Sequence, residues 1–184
     1  MISQRAQAAF DHIVVNALRS ALSAPDAEPC TVDAIDDARQ ITEKKVVLLT
    51  VSSYVFRVIT MVYFTLNADT RQHFAAINRT EAADMSDADF LDVISECGNI
   101  FCGAFNRELA LHYPHLGMST PNVLDRPCMD YLKTLSPGYV KHFKVGVNDR
   151  LTMHASLCVC DFAPIDFQVD TTKVEETHGE LEMF

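Results

Sequence analysis

The amino-acid sequence predicts an α/β domain of the α+β type, in which long helices pack on a largely antiparallel sheet. Two long segments, Arg5–Leu22 and Asp87–His112, have apolar residues at helical spacing. Two others, Lys45–Ser52 and Phe56–Leu66, are rich in β-branched and aromatic residues, and the tight connection between them indicates a hairpin. The chain has 184 residues, of which 48% are hydrophobic, and no Gly/Ser-rich linker divides it, so we predict one domain over residues 1–168.

The first half of the chain contains one segment whose structure the sequence leaves open. After the opening helix, Pro25 begins a connection that runs to about Glu43, in which Val32–Ile41 suits either a strand or a short helical turn. The long apolar runs of the two strands that follow predict that part of the sheet is covered on both faces. Asn67 is then placed to cap a short helix that ends near Asn78.

The second half opens with the longest predicted helix. Ser86, with Asp89 three residues later, resembles a capping signal for this helix, and Pro114 closes it. Beyond it, Met118–Leu124 is predicted to be a strand and Cys128–Leu135 a short helix that ends at a Ser-Pro-Gly sequence.

The chain then returns as a two-stranded ribbon. Apolar and polar residues alternate from His142 to Val147 and again from Leu151 to Cys160, with Asn148-Asp149 as the turn between them. The remaining segment, Val169–Phe184, is polar and acidic, and we expect a mobile tail.

The long helix has an unusual polar face. With about 100° per residue, five positions fall within roughly 80° of one another: they are Asp92, Glu96, Asn99, Gly103 and Asn106. The opposite face is predicted to be core and contains Phe90, Val93, Ile94, Cys97, Ile100, Phe101 and Ala104. A carboxylate and an amide side by side, with a glycine near them, form a surface that another molecule can approach closely.

Composition restricts the partners and the compartment. The formal net charge of −10, without a Lys/Arg cluster, argues against a nucleic acid or an anionic membrane as partner. The sequence has neither a signal peptide nor an apolar run near the ~18 residues of a membrane span. Six scattered cysteines suit free thiols, so we expect a cytoplasmic protein.

The motif Asp92-x-x-x-Glu96-x-x-Asn99, followed by Gly103 and by Met118-Ser119-x-Pro121-x-Val123, resembles the CheC/CheX/FliY family of aspartyl-phosphate phosphatases from bacterial chemotaxis. The resemblance extends from about Phe10 to Phe162, and the single motif is similar to that of CheX-type members. Two departures from the family are Ser52-Ser53-Tyr54 and Asp125, where family members commonly have glycines.

The resemblance implies a phosphatase that acts on a phosphorylated, CheY-like receiver domain of a response regulator. An amide cannot act as a base at neutral pH but both donates and accepts hydrogen bonds, so Asn99 is expected to orient the attacking water. By the resemblance, Glu96 pairs with the active-site lysine of the receiver, while Asp92, Gly103 and Asn106 contact the partner. No metal or cofactor is expected on this chain, because the receiver supplies the divalent metal, Mg²⁺. A homodimer through joined sheets is also implied, with the ribbon as a possible edge.

Other interpretations of the same residues remain open. The polar face suits an ordinary solvated helix, or a non-catalytic module that binds a receiver or a flagellar-switch-like partner. A structural domain that acts through self-association is compatible with either. A metal site from His112, His115, Cys97 and Cys102 is disfavoured, because Pro114 breaks the helix and no paired Cys-x-x-Cys or His-x-x-x-His element is present.

Overall fold

The structure is a computed structural model that describes residues 1–24, 30–83, 85–147 and 151–170. Within these ranges the α-helices are α1 (Gln4–Leu22), α2 (Ala68–Ile77) and α3 (Asp87–Ala110). The strands are β1 (Thr31–Ile35), β2 (Lys45–Ser52), β3 (Phe56–Phe64), β4 (Gly117–Met118), β5 (Asn122–Asp125), β6 (Tyr139–Gly146) and β7 (Thr152–Asp161). Two 3₁₀ segments, Ala38–Gln40 and Arg126–Leu135, complete the elements.

The strands form one antiparallel sheet in the order β1-β6-β7-β3-β2-β4, and β5 also pairs with β2. This arrangement confirms the predicted fold class. The ribbon β6–β7 lies inside the sheet, because β6 also pairs with β1 and β7 with β3. The expectation that the ribbon offers an edge is therefore wrong: β1 lies at one side of the sheet and β4 with β5 at the other.

The β2–β3 hairpin is closed by a serine where the resembling family commonly has glycine. The backbone N–H of Ser53 donates to the carbonyl of Phe56 at 2.9 Å. The Ser53 hydroxyl accepts from the N–H groups of Val55 and Phe56 at 3.1 and 3.2 Å. Side-chain hydrogen bonds thus stabilise this tight turn, and the described structure contains no glycine with positive φ.

Helices α1 and α3 pack against each other and build the main core. Phe10 of α1 stacks on Phe105 of α3 with ring centroids 6.3 Å apart. The Cys97 thiol donates to the carbonyl of Ala21 at 3.1 Å, near the end of α1. The two helices therefore run antiparallel.

The other face of the sheet is also covered, as predicted. β3 is buried at every position except Arg57. A second apolar cluster includes Tyr63 and Cys158, and Leu132 of the 3₁₀ helix packs against it. Burial raises the pKa of the Cys158 thiol to about 12. Cys158 and Cys160 are both buried in this cluster and therefore serve packing.

Two polar pairs are associated with the ribbon. His154 Nδ1 lies 2.8 Å from Glu43 Oε1, and His142 Nδ1 lies 2.7 Å from the Ser156 hydroxyl. Each pair gives a hydrogen-bond partner to polar groups that are buried or half-buried in the fold.

The predicted strand Met118–Leu124 is interrupted. Ser119 donates its N–H to the carbonyl of Thr50 at 2.9 Å, and its hydroxyl accepts from the N–H of Thr50 at 3.0 Å. The hydroxyl takes the place of a backbone acceptor, and the ladder resumes only at Asn122, after Pro121, which has no N–H to donate. The Ser-x-Pro-x-Val sequence thus interrupts the strand at the edge of the sheet beside α3.

Other predicted elements differ in detail. The open segment holds both a strand, Thr31–Ile35, and a 3₁₀ turn, Ala38–Gln40. The short helix predicted at Cys128 begins at Arg126 and is 3₁₀. Val169, at the start of the predicted tail, packs against the core. The Asn148-Asp149 turn and residues 171–184 lie outside the described residues.

Candidate functional site on helix α3

The start of α3 is fixed by its own sequence and by α2. Ser86 and Asp89 form the predicted capping box, with the Asp89 N–H donating to the Ser86 hydroxyl at 3.2 Å and the Ser86 N–H donating to Asp89 at 2.9 Å. Arg71 of α2 donates to the carbonyl of Met85 and to the carboxylate of Asp87, both at 2.5 Å. These contacts hold the helix that positions the polar face.

Gly98 allows α3 to pack closely against the sheet. A Cβ at this position would lie 2.9 Å from Leu49 Cδ1 and 3.0 Å from Val47 Cγ2, both in β2. A side chain at Gly98 would therefore require the buried side chains of Leu49 and Val47 to shift. Because Gly98 points inward, the face on the far side of the helix points to solvent.

Glu96 and Asn99 are joined on that outward face. Asn99 Nδ2 donates to Glu96 Oε2 at 3.1 Å, across one turn of the helix. Glu96 is exposed and Asn99 is half-buried. The hydrogen bond orients the amide so that Oδ1, the acceptor atom, is left for another molecule.

The three residues predicted to contact a partner differ in accessibility. Asp92 is exposed and lines a surface pocket of about 370 Å³, together with Asn78, Thr80, Glu81, Met85, Asp89 and Val93. A Cβ at Gly103 would meet no atom of the described chain within 4 Å beyond its own helix backbone and neighbours. Asn106 is half-buried, and its Oδ1 is enclosed without a hydrogen-bond partner among the described residues.

The predicted core face of α3 needs one correction. Ile100 is 42% exposed, and Ala104 is half-buried. Ile100 follows Glu96 by four residues, so it lies about 40° from Glu96 and shares the outward face. Helix α3 packs on both the sheet and α1, so its buried face is wider than predicted. This face also includes Gly98, Cys102 and Phe105.

The cysteines of α3 are buried in the core, and His112 contacts an aromatic ring. Burial raises the pKa of Cys97 to about 12 and that of Cys102 to about 11, so both thiols stay neutral. His112 lies instead against the ring of Phe167, with centroids 5.0 Å apart. Among the described residues, no group of three or more His, Cys, Asp or Glu side chains is placed to hold a metal ion.

Two signals in the sequence point to residues that our sequence reasoning missed. A glycine on the inner face of a helix, as Gly98 is, indicates close packing against another element. An apolar residue one turn after a charged site residue, as Ile100 is, must share its face.

Solved structures that this chain resembles in fold include CheX and CheC-like proteins. CheX from Vibrio vulnificus is 12% identical with a TM-score of 0.63, and the match covers 82% of this chain and 98% of that chain. CheX from Borrelia burgdorferi, in a complex with CheY, BeF₃ and Mg²⁺, is 13% identical with a TM-score of 0.63, over 84% of this chain and 97% of that chain. The chain has the CheX/CheC fold.

A CheC-like protein from Shewanella sp. PV-4 has the CheX/CheC fold too, with 10% identity, a TM-score of 0.55 and coverage of 85% of this chain and 98% of that chain. The resemblance inferred from the α3 motif is thereby confirmed at the level of the fold. No family model and no curated protein matches the sequence. No helix in the described part of the chain combines the length and apolar character that crossing a membrane requires.

Proposed function

We propose that this protein is a phosphatase that removes the phosphoryl group from the phosphorylated aspartate of a CheY-like receiver domain. The observation on which this rests is the hydrogen-bonded Glu96–Asn99 pair on the outward face of α3, whose amide oxygen accepts no hydrogen bond from the described residues. The solved complex of CheX with CheY, BeF₃ and Mg²⁺ supports the choice of a receiver as the partner, because that CheX shares this fold.

The reaction is the hydrolysis of an acyl phosphate. A water oxygen forms a bond to phosphorus while the bond from phosphorus to the aspartyl oxygen breaks. The products are inorganic phosphate and the free aspartate carboxylate, and the proton of the water leaves with the phosphate or to solvent. Because phosphoryl transfer has a loose transition state, fixing the line of attack of the water matters more than removing its proton.

Asn99 suits this task through its Oδ1 atom. Asn99 Nδ2 donates a hydrogen bond to Glu96. Its Oδ1 accepts a hydrogen bond from the attacking water and so holds that water in line with the scissile bond. The partner brings the phosphoryl group and the divalent cation, Mg²⁺, so this chain supplies neither a metal nor a covalent nucleophile.

Glu96 has two tasks in this proposal. One is to orient the Asn99 amide through the 3.1 Å hydrogen bond. The other is to pair its exposed carboxylate with the active-site lysine of the receiver, which brings Asn99 to the phosphoryl group. Asp92, one turn earlier on the same face, is exposed and adds a second negative charge beside Glu96.

The test is the loss of labelled phosphoryl group from a panel of purified receiver domains of the same organism, with and without this protein. Replacing Asn99 with alanine should slow the accelerated loss by about 10²–10³-fold, as removal of one positioned polar group does in other sites. The matched control is Asn16→Ala, because Asn16 is an exposed asparagine of α1 that hydrogen-bonds His12 at 3.0 Å. Equal rates for wild type and Asn99→Ala would refute the proposed role.

Substitutions of Glu96 separate its two tasks. Glu96→Gln keeps an oxygen that accepts from Asn99 but removes the charge, so we expect weaker binding of the phosphorylated receiver. Glu96→Ala removes both the accepting oxygen and the charge, so it should weaken binding of the receiver and also slow turnover. If wild type binds a receiver without accelerating its dephosphorylation, the non-catalytic adaptor that uses the same face becomes the correct interpretation.

A further inference from the structure

Ile100 is an exposed apolar side chain at the border of the polar face of α3. It is 42% exposed, directly follows Asn99, and lies one turn beyond Glu96. Most other apolar residues of α3 pack inward against α1 and the sheet. The core therefore does not account for an isoleucine at this position.

The helical geometry places Ile100 opposite Asn99 across the site. At about 100° per residue, Glu96 and Gly103 lie within about 20° of each other along the middle of the face. Asn99 lies about 60° to one side of Glu96, and Ile100 about 40° to the other side. A partner surface that reaches from Asn99 across Glu96 and about 40° further also covers Ile100.

We propose that Ile100 is a docking residue of the α3 site, whose side chain packs against an apolar side chain that the receiver presents beside its phosphorylated aspartate. The inference rests on the proposed function and adds the contact that holds the receiver in place. Gly103 allows this close approach, because the position above it is open in the described structure.

The short reach of Asn99 requires such contact. Its Oδ1 must come within about 2.6–3.2 Å of a water that itself touches the phosphoryl group. The surface of α3 must therefore lie against the receiver, and water must leave the side chains around the Glu96–Asn99 pair. A polar side chain beside Glu96 would lose hydrogen bonds to water, whereas Ile100 loses only unfavourable hydration.

The polar pair and the apolar flank contribute differently to the reaction. Charged groups such as Glu96 lose hydration when they pair, so they give orientation more than net affinity. Burial of the exposed part of Ile100 adds affinity without touching the reacting atoms. Ile100 is thus a positioning residue, which affects KM for the phosphorylated receiver, whereas Asn99 affects kcat.

The test compares Ile100→Ser with Leu135→Ser in steady-state dephosphorylation of the receiver that wild type acts on. Leu135 is 43% exposed but lies on the 3₁₀ helix, away from α3. Ile100→Ser should raise KM about tenfold with little change in kcat, and Ile100→Leu should restore KM. Leu135→Ser should leave both constants unchanged. Thermal melting of each variant checks that it is folded.

Three results would overturn the inference. An unchanged KM for Ile100→Ser, with acceleration that still depends on Asn99, would remove Ile100 from docking and leave the phosphatase in place. If wild type accelerates the dephosphorylation of no receiver, wild type and Ile100→Ser are each titrated with a BeF₃-treated receiver. Equal dissociation constants for the two proteins, or no binding of wild type, would overturn the docking role of Ile100. A change of sedimentation coefficient in Ile100→Ser without a receiver would assign the residue to contact with a second copy.

Discussion

Two glycines in one helix should respond oppositely to the same substitution. Gly→Ala in a helix interior stabilises the helix by roughly 1 kcal/mol. At Gly103 the new Cβ meets no atom of the described chain within 4 Å beyond its own helix backbone and neighbours, so the whole gain is expected. That gain corresponds to a melting temperature about 2–4 °C higher for a chain of this size.

At Gly98 the substitution is opposed by the sheet. The new Cβ would lie 2.9 Å from Leu49 Cδ1 and 3.0 Å from Val47 Cγ2, and both side chains are enclosed in the core. Such overpacking typically costs about 1–3 kcal/mol. After subtraction of the gain in helix propensity, a net destabilisation of about 1 kcal/mol remains.

The assay is thermal and urea denaturation of wild type, Gly98→Ala and Gly103→Ala under one set of conditions. Shifts of the same sign in both variants would refute the assignment of one glycine to packing and the other to an open surface. Phosphatase assays add a second readout: Gly103→Ala should lower activity despite its higher stability, because its methyl group stands where the receiver approaches. Unchanged activity would contradict that approach.

Two further predictions concern stability. Ser119→Ala removes the hydroxyl that accepts from the Thr50 N–H at 3.0 Å and should cost about 1 kcal/mol in urea denaturation; an unchanged midpoint would contradict this role. Burial lowers the pKa of His73 below its ordinary value of 6.5, so the unfolded chain takes up the proton first. The contribution of neutral His73 to the free energy of unfolding is therefore fully present above pH 6.5 and is lost as the pH falls below that value. The melting temperature should therefore fall less between pH 7.5 and 5.5 in His73→Gln than in wild type, and equal falls would contradict this.

Much of the local structure was predictable from the sequence. The hairpin strands β2 and β3 match their predicted bounds to within two residues, and the Ser86–Asp89 capping box marks the start of α3. The same holds for the Glu96–Asn99 pair, because residues three apart on a helix are neighbours whatever the helix packs against. Such features depend on interactions between residues a few positions apart.

Other features depended on contacts between distant parts of the chain. Met118–Leu124 has the composition of one strand, but the Thr50–Ser119 hydrogen bonds and Pro121 divide it. The alternating pattern of β6 and β7 does not indicate that β1 pairs with the free edge of β6. The inner face of α3 was misjudged at Ile100, because the sequence does not say how many elements surround a helix.

The class of fold, the long helix and the residues on its polar face could thus be predicted from the sequence. Long-range packing alone sets how closely Gly98 approaches β2 and leaves Ile100 in solvent. The physical reason is that helix periodicity fixes which residues share a face. Burial and close approach are instead set by the elements that long-range packing brings against that face.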